Sequence, residues 1–264
     1  MPKLLFFDID GTLINDKFKI PSTVKPALDK ARANDCLIFI NTGRTYCNID
    51  PILNDLPLDG IVYGCGTRIV ASGKTIRALE YDHETSMKIL EIYRETNVPT
   101  VFECDTGLYY DDELSDHLMI PMFRKYSDPR GLTRFVSQDD PEFRAVKMFC
   151  FLNDETRERL LSNLKAGGFN YYAIDRGRGG FEIVPEGCSK AMGIDVLCEH
   201  YGVSLSDCYV FGDSNNDLSM LKHVPNSIAM GQAPDDVKKY CSYITGTPDE
   251  DGIQNALIAL GLIE

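Results

Sequence analysis

Phe6-Phe7-Asp8-Ile9-Asp10-Gly11-Thr12-Leu13 is the stretch that decides how this chain is read. The residues before it, 3–7, are almost wholly apolar and end abruptly in acid. That is the pattern of a central parallel strand, buried on both faces, delivering carboxylates at its C-terminal edge. Open α/β sheets bind ligands at that edge. Asp8 and Asp10 are two residues apart, so in an extended chain their side chains leave on the same side. Gly11 lets the backbone turn sharply, and Thr12 offers a hydrogen bond to the bend. Two crowded carboxylates repel unless a cation sits between them or one of them holds a proton. Taken alone, Asp8-x-Asp10-Gly11 is equally an ordinary turn, because Asp and Gly dominate turns for steric reasons. The rest of the chain decides between the two.

Working outward, residues 24–34 carry Val24, Leu28 and Ala31 at helical spacing, and Cys36 to Ile40 form a second buried strand. That strand ends in Asn41-Thr42-Gly43-Arg44, and a helix is expected over 45–54. A helix start, a hydroxyl and an arginine make a phosphate cradle; a plain turn with Arg44 on a solvated surface is the other reading. Gly60 to Tyr63 is a third strand, ending in Gly64-Cys65-Gly66 and followed by a hairpin. From about residue 82 to 185 the rhythm changes to helix (84–95), hairpin (100–110), a polar region around Pro129, strand (145–152), helix (154–166) and hairpin (170–184). Short-looped strands covered by two helices suggest an inserted α+β unit. The first rhythm then resumes. Ser189 caps a helix to about residue 201, a strand over 208–211 ends in Gly212-Asp213-Ser214-Asn215-Asn216-Asp217, a strand over 227–230 ends at Gly231-Gln232, and a last helix starts near residue 249. The expected architecture is α/β, a doubly wound Rossmann-like parallel sheet formed by 1–81 and 186–264, with 82–185 as the insertion.

Composition bounds the function. At 264 residues, with 44% hydrophobic and 25% charged residues, the chain has room for a large core and a second, smaller domain. A net charge of -13 argues against nucleic acid or an anionic membrane surface as partner. No apolar run approaches a membrane span, and the chain opens directly on a core strand, so a cytoplasmic protein without a signal peptide is expected. The nine cysteines are scattered, with neither zinc nor disulfide spacing, and read as reduced small hydrophobes. Cys65 and Cys188 lie near proposed site loops, where packing is favoured over nucleophilic work.

Asp8/Asp10, Thr42/Arg44, Lys190 and Asp213/Asn216/Asp217 all fall at strand or loop ends, and in a doubly wound sheet such ends face one crevice. Acids that gather a hard cation stand beside groups that gather an anion, and magnesium suits sparse carboxylates completed by water and phosphate oxygens. Asp8-x-Asp10-Gly11-Thr12-Leu13, Thr42-Gly43-Arg44, Lys190 and Gly212-Asp213-x-x-Asn216-Asp217, in this order, closely resemble the four motifs of the haloacid dehalogenase-like hydrolase superfamily. The insertion between the second and third motifs resembles the type IIB cap of the Cof-like phosphatases, so the resemblance covers essentially the whole chain.

The resemblance implies a Mg2+-dependent phosphatase acting on small phosphorylated metabolites such as sugar phosphates. Asp8 would be the nucleophile, forming an aspartyl-phosphate, and Asp10 the acid and base. The Asp8 carboxylate, the Asp10 carbonyl and Asp213 would hold the ion, with Asp217 ordering its shell. Thr42, the Gly43 amide, Lys190 and Asn216 would hold or place the transferring oxygens. A phosphomutase of the phosphomannomutase-like type is the first alternative, and a non-catalytic phosphate or nucleotide sensor the second. Dehalogenation is disfavoured because a leaving halide gives Asp10 no task. Two departures, Gly64-Cys65-Gly66 for the usual Asn-Gly and Gln232 for the usual asparagine, are expected to affect substrate contacts and leave the chemistry untouched. Arg176 and Arg178 are either a second anion contact or the solvated tip of a glycine-rich hairpin, and the glutamate and tyrosines of the 100–110 hairpin are similarly open. Monomer and homodimer are both compatible.

Overall fold

The computed structural model describes residues 2–79, 81–115, 117 and 120–264, and the statements below concern those residues. The chain begins with β1 (Lys3–Phe7), α1 (Val24–Ala33), β2 (Cys36–Asn41), β3 (Gly60–Tyr63), β4 (Arg68–Ala71) and β5 (Lys74–Ala78). It continues with α2 (His83–Thr96), β6 (Thr100–Cys104), β7 (Leu108–Tyr110), α3 (Ile120–Ser127), β8 (Thr133–Phe135), β9 (Ala145–Phe151), α4 (Asp154–Ala166), β10 (Tyr171–Asp175) and β11 (Gly180–Pro185). The last stretch holds α5 (Lys190–Tyr201), β12 (Cys208–Gly212), α6 (Leu218–His223), β13 (Asn226–Ala229), α7 (Asp235–Lys238), β14 (Tyr243–Ile244) and α8 (Gly252–Ala259). These elements fall into two compact units, one of residues 1–43, 50–77 and 189–264, the other of 44–49 and 78–188.

The first unit is built on an eight-stranded sheet in the order β14-β13-β12-β1-β2-β3-β4-β5. β1 lies inside it, parallel to both β12 and β2. Leu4, Leu5, Phe6 and Phe7 have no exposed surface, as a strand covered on both faces requires. Leu4 and Phe6 join Phe39, Val62, Ile194, Leu197, Val210 and Met220 in one core cluster. Register places the site: Phe7 pairs with Phe211 and with Ile40, so Asp8, Asn41 and Gly212 stand abreast at the C-terminal edge.

The second unit is a six-stranded sheet, β10-β11-β9-β6-β7-β8, antiparallel except between β7 and β8. Phe102, Met148, Cys150 and Ile183 pack with Ile89 and Tyr93 of α2 and Leu160 and Leu164 of α4. Their sequence neighbours Val101, Glu103, Lys147, Phe149 and Glu182 therefore point to the opposite sheet face, since strand side chains alternate. There Val101 and Phe149 meet Ile120 and Phe123 of α3.

Two local expectations are corrected, and a third stretch gains elements. Residues 45–54 form two 3-10 turns, Tyr46–Asn48 and Pro51–Asp55, rather than one helix. Pro51 lacks an N–H and forces Asp50 into an extended conformation, which breaks the run. The polar region around Pro129 holds α3 and β8, with Pro121 tolerated in the first turn of its helix. The last helix starts at Gly252, because Thr247 and Glu250 cap a separate 3-10 turn and Asp251 turns left-handed at φ 58°. Residues 44–49, read from sequence as part of the first domain, belong to the second unit. No described helix is long and apolar enough to cross a membrane.

Candidate active site

The site is assembled from loops that follow adjacent parallel strands of the first unit. The Asp8 N–H donates to Phe211 O at 3.0 Å, extending the β1–β12 ladder one residue into the acidic loop. The loop then closes on itself: Gly11 N–H donates to Ile14 O and Ile14 N–H to Ile9 O, both at 2.9 Å. Gly11 sits at φ +77°, and a Cβ there would lie 2.3 Å from Asp213 Oδ2, so only glycine lets the two loops approach. Thr12 supports the bend through its main-chain N–H, to Ile9 O at 3.3 Å, and not through its hydroxyl as its type suggested; Oγ1 is buried without a described hydrogen-bond partner.

Lys190 reaches the same point from α5. Ser189 caps this helix by accepting from Met192 N–H at 3.0 Å, and Asn41 Nδ2 donates to Lys190 O at 2.9 Å, which fixes the first helical residue. The Lys190 ammonium, 1% exposed with its residue, donates to Asp8 Oδ1 and to Asp217 Oδ1, each at 2.5 Å. Asp217 uses its other oxygen for the main-chain N–H groups of Asp213 (2.9 Å) and Ser214 (3.0 Å), so its carboxylate shapes the loop that carries Asp213. Asn216 is buried beside it and accepts from Ser214 Oγ at 2.5 Å. Thr42 is buried, with its main chain held at both ends by Val62 O and Cys65 N–H, each at 2.9 Å. Asp10 is exposed, and its main chain bridges to Ile14.

The electrostatics ask for a cation. Carboxylate oxygens of Asp8, Asp213 and Asp217 all lie within 4.8 Å of one another. Three carboxylates against the single Lys190 ammonium leave two negative charges when all are ionised. Burial, and next Asp217, push Asp8 up to about 8, with Lys190 acting the other way. Burial acts to lower Lys190, yet Asp217 and Asp8 together hold it above the ordinary lysine range, so it stays an ammonium. A hard divalent ion fits this donor set of carboxylate oxygens and its charge deficit.

Both departures from the expected motifs lie at the site loops. Gln232 Nε2 donates to Gly11 O at 2.5 Å and lies 3.4 Å from Asp213 Oδ2. Cys65, buried in a left-handed turn at φ 57°, pins Thr42 through its N–H. Asn41 and Ser214 were also missed; a polar residue closing a buried strand was the available signal for Asn41. None of the nine cysteines, all among the described residues, is disulfide-bonded.

The three candidate arginines belong to the second unit. Arg44 Nη1 donates to Tyr126 OH at 3.0 Å, and Arg130 Nη1 holds Asn48 Oδ1 at 2.8 Å, so the 44–49 segment is clamped within that unit. Arg176 Nε lies 3.9 Å from Glu182 Oε1, at the end of a buried chain in which Lys147 Nζ is 2.7 Å from Glu103 and 3.5 Å from Glu182. Arg178 is exposed at a hairpin tip with φ 54°.

Residues 5–257 match the haloacid dehalogenase-like hydrolase family. The chain is 28% identical to the HMP-PP phosphatase of Yersinia pestis, over 97% of this chain and 94% of that protein. It is 26% identical to the 5-amino-6-(5-phospho-D-ribitylamino)uracil phosphatase YwtE of Bacillus subtilis (strain 168), over 95% of each. A solved HAD subclass IIB sugar phosphatase superposes with a TM-score of 0.82 at 29% identity, covering 99% of this chain and 100% of that one.

Proposed function

Because this chain belongs to the haloacid dehalogenase-like hydrolase family, we propose that it is a magnesium-dependent phosphatase that releases phosphate from small phosphorylated metabolites, sugar phosphates foremost. The first unit acts as the catalytic core, and the second as the cap that sets substrate choice. The observation that carries this reading is the meeting of Asp8, Asp213, Asp217 and Lys190 at one buried point of the parallel-sheet edge. The sugar-phosphate preference is supported by the relatives, which include a sugar phosphatase and a phosphatase named for a phosphoribityl compound.

Asp8, Asp213 and the Asp10 main-chain carbonyl are the groups that would hold Mg2+, which when bound supplies the positive charge that lets a carboxylate approach a phosphate dianion. An Asp8 oxygen attacks phosphorus, and the bond from phosphorus to the ester oxygen breaks as Asp10 gives that oxygen its proton. Asp10, now a carboxylate, takes a proton from water. The water oxygen bonds phosphorus while the Asp8–phosphorus bond breaks, and Asp8 and inorganic phosphate are freed. Lys190, the Thr42 hydroxyl and the Gly43 N–H hold the transferring oxygens, where charge is spread in the transition state, and Asn216 helps to place them. Asp217 keeps Lys190 and the Asp213 loop in register for this work.

The test is phosphate release from p-nitrophenyl phosphate and a panel of sugar phosphates, with and without Mg2+, for the wild type and Asp8→Asn. Release that depends on Mg2+ and falls by about 10⁴-fold or more in the variant is expected. Undiminished release by Asp8→Asn sinks the reading, and an isomerised product without net phosphate release replaces it with a mutase.

A further inference from the structure

Gln232 comes to the acidic loops from the turn after β13, 221 residues from Gly11. Its terminal nitrogen faces two acceptors, the Gly11 carbonyl at 2.5 Å and Asp213 Oδ2 at 3.4 Å. Neither can donate a hydrogen, so only the NH2 end of the amide satisfies this position, and its two hydrogens match the two acceptors. The Gly11 carbonyl belongs to the loop that carries Asp8 and Asp10, and Asp213 to the loop shaped by Asp217. One side chain thus ties the loops that carry the proposed ion-holding groups. A hydrogen bond to Oδ2 also fixes the rotation of the Asp213 carboxylate, and with it the direction of Oδ1.

We infer that Gln232 is a positioning residue, whose amide holds Asp213 and the Asp8–Gly11 loop in the arrangement that receives the divalent ion. The inference rests on the proposed function. Partners that orient metal-holding groups typically change metal affinity by about 10- to 100-fold when removed. Gln232 is exposed and borders a cavity of about 200 Å³ lined also by Gly11, Asn15, Asp16, Thr247 and Asp249, so changing it opens no hole in the core.

The experiment is calorimetric titration of the ion-free full chain with MgCl2, for wild type, Gln232→Met and Gln232→Ala, with thermal unfolding of each protein in the absence of Mg2+. Gln232→Met keeps the length of the side chain and removes the donor. The expected result is Mg2+ binding about tenfold weaker in both variants, with the ion-free Tm unchanged and the KM for substrate at saturating Mg2+ unchanged. Affinity within twofold of wild type in Gln232→Met overturns the inference alone. Weaker binding accompanied by a matching loss of ion-free Tm in both variants overturns it too, because the role is then structural. A wild type that binds no Mg2+ removes the functional reading itself, and the inference with it.

Discussion

Each unit buries a lysine between two carboxylates, and the two clusters differ in charge count. In the first, Lys190 sits between Asp8 and Asp217 while Asp213 converges on the same point, leaving an excess of negative charge. In the second, Lys147 sits between Glu103 and Glu182, and Arg176 adds a second cation 3.9 Å from Glu182, so two negative charges meet two positive ones. Burial is alike, with both lysines 1% exposed. The difference teaches that a buried lysine between two carboxylates is no signature by itself; a third carboxylate sets the first cluster apart and a second cation the second. By this count the first cluster favours an added cation more than the second does.

Exchanging each lysine for methionine breaks the comparison most sharply. Lys190→Met is expected to lower phosphate release by about 10²–10³-fold, the cost of removing one donor aimed at the transferring group, measured as kcat at saturating Mg2+. Lys147→Met is expected to cost about 3–5 kcal/mol of stability in urea unfolding, since it leaves buried carboxylates without their cation. Added Mg2+ should restore ion-free Lys190→Met toward wild-type stability and do nothing specific for Lys147→Met. Equal rescue of both variants would erase the distinction.

A smaller effect sharpens it through pH. Burial raises Glu103 above the ordinary glutamate value of 4.5, against the pull of Lys147. A carboxyl raised on folding favours the folded state while protonated. Its contribution is therefore complete below 4.5 and is lost as pH climbs through the raised value. The stability difference between wild type and Glu103→Gln should change only in that window, with a slope of at most about 1.4 kcal/mol per pH unit. A difference that is flat from pH 4 to 8 contradicts the assignment.

Much of the first cluster was legible in sequence because its parts follow strands whose ends the hydrophobic pattern marks. Asp8 and Asp213 end apolar runs, and Lys190 follows a capping serine at a helix start. Gln232 and Asn41 were not legible as partners, since what they touch lies far away in the chain. Arg44 shared a strand end with Thr42, yet Tyr126, 82 residues on, claims its guanidinium. The 45–54 stretch misled because its residue types permit a helix while Pro51 forbids a continuous one. Lys147 and Glu103 sit in strands where alternation fixes a face but says nothing of what covers it.

The placement of β1 between β12 and β2 carries a consequence for synthesis. A chain emerging from the ribosome can pair β1 with β2 early, but Lys190 lies 182 residues beyond Asp8, and β12 later still. Until the stretch through Asp217 has been made, Asp8 lacks part of the buried cluster in which it sits. Contacts of such long sequence separation also close slowly. The cluster around Asp8 thus forms only after β12 has been made and has docked against β1.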